Sequence, residues 1–319
     1  RSDGKVTVDW RSDHPVRLVN VVAGRWDVWT GNGTEIYYHP GHAYNIEEMG
    51  LSLDASRRWY SEWFAPYPWQ SLRVNEFMGV AGYAQGFPTN ITFSESIGFL
   101  TKNDIRSLVV FWVTAHEVAH QWWGNLLTPG DGPGGGVLSE GMANYSTLLL
   151  TEEVKGIAAR RELSKRMETR YTQGRRANNE RPMVETHGSL PGDARVTYEK
   201  GGWVPWMLTD LMGTDPMLQG LREFIRRFRH GPDYPVLQDQ VNVLRDFAPD
   251  TAAFDAFVEQ WYFDVVIPEY QVENAQKRQV SEQGSAEEVW ETTFTIRNVG
   301  TGEMPVDVVV ALGEPYDEE

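Results

Sequence analysis

Residues 113–129 read VTAHEVAHQWWGNLLTP, and this stretch narrows the possible folds more than any other in the chain. On an α-helix, positions four apart lie on one face about one turn apart. His116 and His120 therefore project side by side and can offer two imidazole nitrogens to one ion. Glu117 is rotated by about 100° from His116, so it flanks such an ion without binding it, as a general base acting on water must. The competing reading is an ordinary helix carrying two unconnected histidines. Two features weigh against it. Glu140 falls in the first turn of the next predicted helix, which Ser139 is placed to cap, and its carboxylate is free to point back. The intervening TPGDGPGGG loop is long and glycine-rich enough to bring the two helices together antiparallel. Two histidines and one glutamate leave a fourth tetrahedral position for water, the arrangement of catalytic rather than structural zinc. The expected cofactor is one Zn2+ ion.

Composition agrees. The chain has no cysteine, which excludes disulfides, thiolate metal sites and a cysteine nucleophile, so a metal must be held by His, Asp or Glu. A formal charge of −16 argues against nucleic acid, whose phosphates require a basic surface. The most apolar segment, SLVVFWVTA at 107–115, is half the length needed to span a bilayer. The opening RSDGKVTVDW has no apolar targeting core, so any signal or upstream domain is expected to precede this chain. Thirteen tryptophans are expected to serve mainly as core anchors.

Residues 1–44 form a β-rich entry segment, with strands expected at KVTVDW, VRLVNVVAG, RWDVWTG and TEIYYHP. Residues 45–267 read as one α/β domain. It opens on a helix from Asn45, passes through LRVNEFMGVAGYAQGFPTNITFSES as two strands around a Gly/Pro-interrupted loop, and then enters the helix that starts at Asn103 or Asp104. Further helices are expected at 159–173, 202–212, 216–229 (capped by Asp215), 237–246 and 251–263. From 268 to 319, period-two alternation around an NVGTGE turn predicts a β-hairpin in a partial β-sandwich, with too few strands to close it. The remaining histidines, His39, His42, His187 and His230, fall in turns or at helix ends and read as surface residues.

HEVAHQWWGNLLTP followed by VLSEGMANY resembles the zinc signature of the M1 (gluzincin) metallopeptidases. VTYEKGGWVPWML resembles that family's Y-x-K-G segment, and the resemblance places on Tyr198 the role of donating a hydrogen bond to the tetrahedral intermediate. It implies an α+β fold, a thermolysin-like catalytic domain followed by part of a β-sandwich, with His116, His120 and Glu140 as ligands and Glu117 as base. Asn144, one turn beyond Glu140, is placed to orient it. The sequence departs from the family in three places. Nineteen residues separate His120 from Glu140, one more than usual. The amine-binding Glu of the family's G-x-M-E-N strand is replaced by Gln85 or Gly86, with Glu95 further along the strand near the cleft. The large helical domain that closes many M1 enzymes is not represented. A desolvated ammonium needs a carboxylate, and Gln85 offers only a neutral dipole.

The AQGFPTNITFSES variant is similar to M1-like domains fused to bacterial ABC-type permeases. That resemblance implies a membrane-associated chain on the extracytoplasmic face, with transmembrane permease segments in the same full-length protein; without it, a cytoplasmic enzyme. Three functions follow: M1 aminopeptidase-like hydrolysis of peptides, an oligopeptide endopeptidase that ignores the free amine, or a peptide-binding, sensing domain of a transporter.

Overall fold

The computed structural model describes residues 7–9, 11, 16, 18–104, 108–175, 180–188, 190–229, 231, 233–281, 289–306 and 308. Residues 7–9 of the predicted KVTVDW strand form no strand, and its other positions lie outside the described residues, as do His230 and most of the chain beyond 306. Two compact units divide the chain, Arg1–Phe263 and Asp264–Glu319.

The first unit is built on one mixed five-stranded sheet. Its strands are β1 (Asp27–Thr30), β2 (Thr34–Tyr38), β3 (Leu72–Phe77), β4 (Ala84–Phe87) and β5 (Asn90–Ser94), in the order β1-β2-β3-β5-β4. β2, β3 and β5 run parallel, while β1 and β4 are antiparallel edges. VRLVNVVAG forms no strand among the described residues, and the stretch read as two strands holds three, because Pro88 and Thr89 turn β4 back onto β5.

Helix α1 (Ile46–Trp63) buries Ile46, Met49, Gly50, Leu53 and Tyr60, the single stripe that a 3.6-residue period dictates. Helix α2 (Val109–Ala119) is buried on nearly every side. Its backbone is tied to α1 through Ser52, which donates to the Phe111 carbonyl at 2.8 Å, and Tyr60, which donates to that of Ala115 at 3.3 Å. Asn103 and Asp104 do not cap this helix: both are described outside it, and the position before Val109 is taken by Leu108. The two tryptophans after His120 are fully buried. Trp122 donates to the Ala65 carbonyl at 2.7 Å and Trp123 to the Ser146 hydroxyl at 3.0 Å, which pins the end of α2 on two sides.

Helix α3 (Met142–Gly174) takes in the predicted 159–173 helix and is broken at Gly156, whose φ of 85° and ψ of 173° redirect its second half. A π-helical turn, Val137–Gly141, precedes it, so Ser139 lies inside a turn instead of capping the helix. The short α4 (Asp193–Arg195) leads through a second π-helical turn, Val196–Lys200, into α5 (Gly201–Met212). Helices α6 (Thr214–Phe228), α7 (Leu237–Arg245) and α8 (Thr251–Trp261) complete the unit. Asp215 stands in the first turn of α6; the capping position is Gly213, with φ 87°. Fully burying a side chain such as Leu53 or Phe64 is worth roughly 1.5–3 kcal/mol, and the helices are held mainly by such contacts.

In the second unit, β6 (Tyr270–Gln279) pairs antiparallel with β7 (Trp290–Asn298). Strand 290–298 therefore pairs with the segment that precedes it; the expected hairpin across NVGTGE falls mostly on positions outside the described residues. Among the described residues no helix is long and apolar enough to cross a membrane.

Candidate metal centre

The helical spacing of His116 and His120 brings their Nε2 atoms within 3.2 Å of each other. Glu140, presented by the π-helical turn before α3, places Oε2 3.1 Å from the first and 3.2 Å from the second. What carries the turn there is a close backbone contact: a Cβ on Gly141 would stand 2.8 Å from the Gly201 carbonyl oxygen, so only glycine allows the two π-helical turns to meet. Tyr198 belongs to the second of these turns. Its ring lies parallel to that of His116, with centroids 6.1 Å apart.

The hydrogen bonds behind the imidazoles decide which nitrogen faces inward. Asn144 donates from its amide to the Tyr198 carbonyl at 2.7 Å, so its Oδ1 turns to His116 Nδ1 at 2.9 Å. His120 Nδ1 lies 3.0 Å from the Trp123 carbonyl. Both acceptors suit an Nδ1 proton, which turns both Nε2 atoms toward the Glu140 carboxylate. Donors bound at ~2.0–2.2 Å to a tetrahedral ion lie roughly 3.3–3.5 Å apart, close to the separations found here. Two imidazoles and a carboxylate without thiolate suit zinc. Asn144 was expected to orient Glu140; it holds His116 and the Tyr198 backbone instead, because its one-turn offset points it past the carboxylate to the ring behind.

Burial works against charge throughout the centre. It pushes the Glu117 carboxyl up, the histidines and a backbone hydrogen bond from Gly86 opposing it in part. At Glu140 burial is outweighed by His120 and His116, which hold the carboxyl far below its ordinary range. Burial would lower His120, but Glu140, Glu117 and the Trp123 carbonyl raise it to about 9. Burial and the neighbouring Glu140 carboxylate raise Tyr198 well above the usual tyrosine range, so it remains a hydrogen-bond donor.

Strand β4 lies along α2. A Cβ on Gly86 would meet the Glu117 carbonyl oxygen at 2.5 Å and His120 Cβ at 3.0 Å. Gln121 and Asn125, which the sequence did not single out, clamp this strand: Gln121 bonds the Phe87 carbonyl and the Thr89 N–H, each at 2.8 Å, and Asn125 the Gly86 carbonyl at 3.0 Å. The QWWGN run after the second histidine was the available signal. Gly86 therefore has no room for a side chain, and Gln85, the exposed neighbour, points from the other face of the strand.

Glu95 belongs to a different cluster from His116, His120 and Glu140. It accepts from the Gly79 N–H at 2.8 Å and stands 3.9 Å from His42, whose Nδ1 is 2.5 Å from the buried Glu76. His39 stacks on Trp26 and gives its N–H to Glu76. His39 and His42 are thus half-buried, not surface, residues, since Glu76 is a fully buried carboxylate that needs both. Lys200 pairs with buried Glu180 at 3.2 Å. A cleft of about 170 Å³ opens beside His116, Glu117 and Tyr198.

With this geometry in place, comparison with known proteins is informative. The Peptidase family M1 domain pattern matches residues 58–261. Aminopeptidase N of Lactobacillus delbrueckii subsp. lactis is 26% identical over 220 residues, which are 63% of this chain and 25% of that protein. Aminopeptidase Ey of Gallus gallus is 25% identical over 253 residues, 70% of this chain and 24% of that one. The chain therefore spans about a quarter of the length of these relatives. Among solved structures, an M1 zinc metallopeptidase from Deinococcus radiodurans superposes with a TM-score of 0.54 at 22% identity, covering 72% of this chain and 48% of its own. A form of it bound to a Tyr-Ser-Ala substrate gives 0.56 at 20%, over 74% and 49%. At that identity the likeness is one of fold.

Proposed function

This chain belongs to peptidase family M1, and on that premise we propose that it hydrolyses peptide bonds at a zinc ion held by His116, His120 and Glu140. Bound there, zinc would polarise a carbonyl and acidify water. Glu117 stands beside the ligands, only 7% exposed, with a carboxyl raised by burial, which suits a base that takes a proton from water and returns it to the leaving amine. Tyr198 keeps its hydroxyl proton and supplies a donor to the oxyanion that develops at the scissile carbonyl. Asn144 joins the two halves by holding His116 and the Tyr198 backbone together.

The observation that carries this reading is the convergence of two Nε2 atoms and a Glu140 carboxylate oxygen within 3.2 Å of one another, with a proton acceptor and a proton donor beside them. A domain that only captured peptides would need neither Glu117 nor Tyr198. Glu117→Gln tests it: the variant should hold zinc as the parent does while peptide hydrolysis falls by at least about a hundredfold. An unchanged rate in the zinc-loaded variant would refute the mechanism.

A second reading concerns where the substrate is measured from. The relatives are named aminopeptidases, yet Gly86 has no space for a carboxylate and Gln85 carries none. That favours cleavage without an ammonium anchor on β4, hence an oligopeptide endopeptidase. Cleavage of an N-acetylated peptide at the rate of its free counterpart supports this reading; abolition by acetylation removes it.

A further inference from the structure

The cleft beside the metal centre has two kinds of wall. Val109 and Val113 of α2 face Leu163 and Met167 of the second half of α3, and these make it apolar. Arg166 and Arg170, one turn apart on the same stretch of α3, make it cationic. Arg170 is answered: its Nε lies 2.8 Å from Glu199, which also takes Arg195 at 3.3 Å. Arg166 has no carboxylate partner among the described residues. This is not for want of acids, since the chain carries 45 acidic residues against 29 basic ones. Two guanidinium groups at i and i+4 repel each other, and Arg170 together with burial works against the cationic form of Arg166. Arg166 is open to solvent at the mouth of the cleft, so its guanidinium is available to an anion that enters beside the reacting centre.

We propose that Arg166 reads a carboxylate on the substrate, through the two-pronged pairing that guanidinium and carboxylate geometry permits. The cleft has the volume of about one side chain, so the carboxylate comes either from an acidic side chain, its methylenes lying on Val113, Leu163 and Met167, or from the free C-terminus of a short peptide. Both share one chemistry. The assignment rests on the peptidase reading and names the substrate class for it.

Four tripeptides test it, with glutamate or glutamine in the middle and a free acid or an amide at the C-terminus. The readout is the ratio of kcat/KM within each charged and uncharged pair, for the zinc-loaded parent, Arg166→Ala and Arg166→Glu. The parent should favour the anionic member of one pair by about tenfold or more, Arg166→Ala should bring the ratio near one, and Arg166→Glu should invert it. Preference in the glutamate pair assigns the side chain as source, and preference in the acid pair assigns the terminus. Equal rates within both pairs, or a preference that survives Arg166→Glu, overturn the proposal. Failure of the parent to cut any of the four would instead refute peptidase activity on this class, and the same Kd ratios by calorimetry then decide the carboxylate assignment separately.

Discussion

The side-chain oxygen of Asn144 lies 2.9 Å from Nδ1 of His116, and this contact favours one tautomer of the proposed zinc ligand from 28 residues away in sequence. Removing such a partner typically costs 10–100-fold in metal affinity. Asn144→Ala should weaken zinc binding by about that factor in chelator competition, and it also frees the Tyr198 backbone. Asn144→Asp keeps the acceptor and should recover most of the loss. Unchanged affinity in both variants would show that His116 needs no partner.

Tyr198 stacks on His116 and keeps its proton. Replacing it by Phe preserves the ring and removes the donor. We expect kcat to fall roughly 10²–10³-fold, as for loss of one oxyanion donor, with KM and zinc content little changed. A fall in KM-weighted binding with kcat intact would reassign Tyr198 to substrate positioning.

A methyl group at Gly86 collides with the main chain of α2 at Glu117. Gly86→Ala should destabilise the fold by about 1–3 kcal/mol, read as a lowered Tm, and reduce activity by displacing Glu117. Gly86→Glu should do the same without creating selectivity for a free amine; a stable, amine-selective variant would contradict the geometry.

Metal binding should be strongly pH-dependent. His120 in the metal-free fold titrates at about 9 instead of 6.5, so zinc must displace its proton below that value. Affinity should rise about tenfold per pH unit on approach to pH 9 and then level, with proton release visible as buffer-dependent binding heats. The raised value also means that His120 stabilises the metal-free fold fully below about pH 6.5 and that this contribution is lost as pH rises through about 9. A pH-independent affinity from 6 to 9 would contradict it.

The geometry separates local from distant determinants. The pairing of His116 with His120 is a property of helical period, and the identity of Glu140 as a nearby carboxylate follows from the glycine-rich loop that lets the next helix fold back. What surrounds them was less legible. Asn144 was assigned to the wrong partner because one turn of helix specifies a face but not which group across the site that face meets. Glu95 looked like a cleft residue because β5 leads there; its pairing with His42 and Gly79 depends on how β2, β3 and β5 align in parallel, and separate segments carry no signal of that alignment. The pairing of 290–298 with 270–279 was missed for the same reason, since alternation marks each segment as a strand without naming its partner.

The contact of Gly141 with Gly201 has an engineering consequence. It fuses the turn bearing Glu140 to the turn bearing the phenol of Tyr198, so neither half can be redesigned alone. Anyone grafting this centre onto another scaffold must transplant that bare main-chain crossing along with the side chains, or the graft will bind its ion and leave the phenol out of reach.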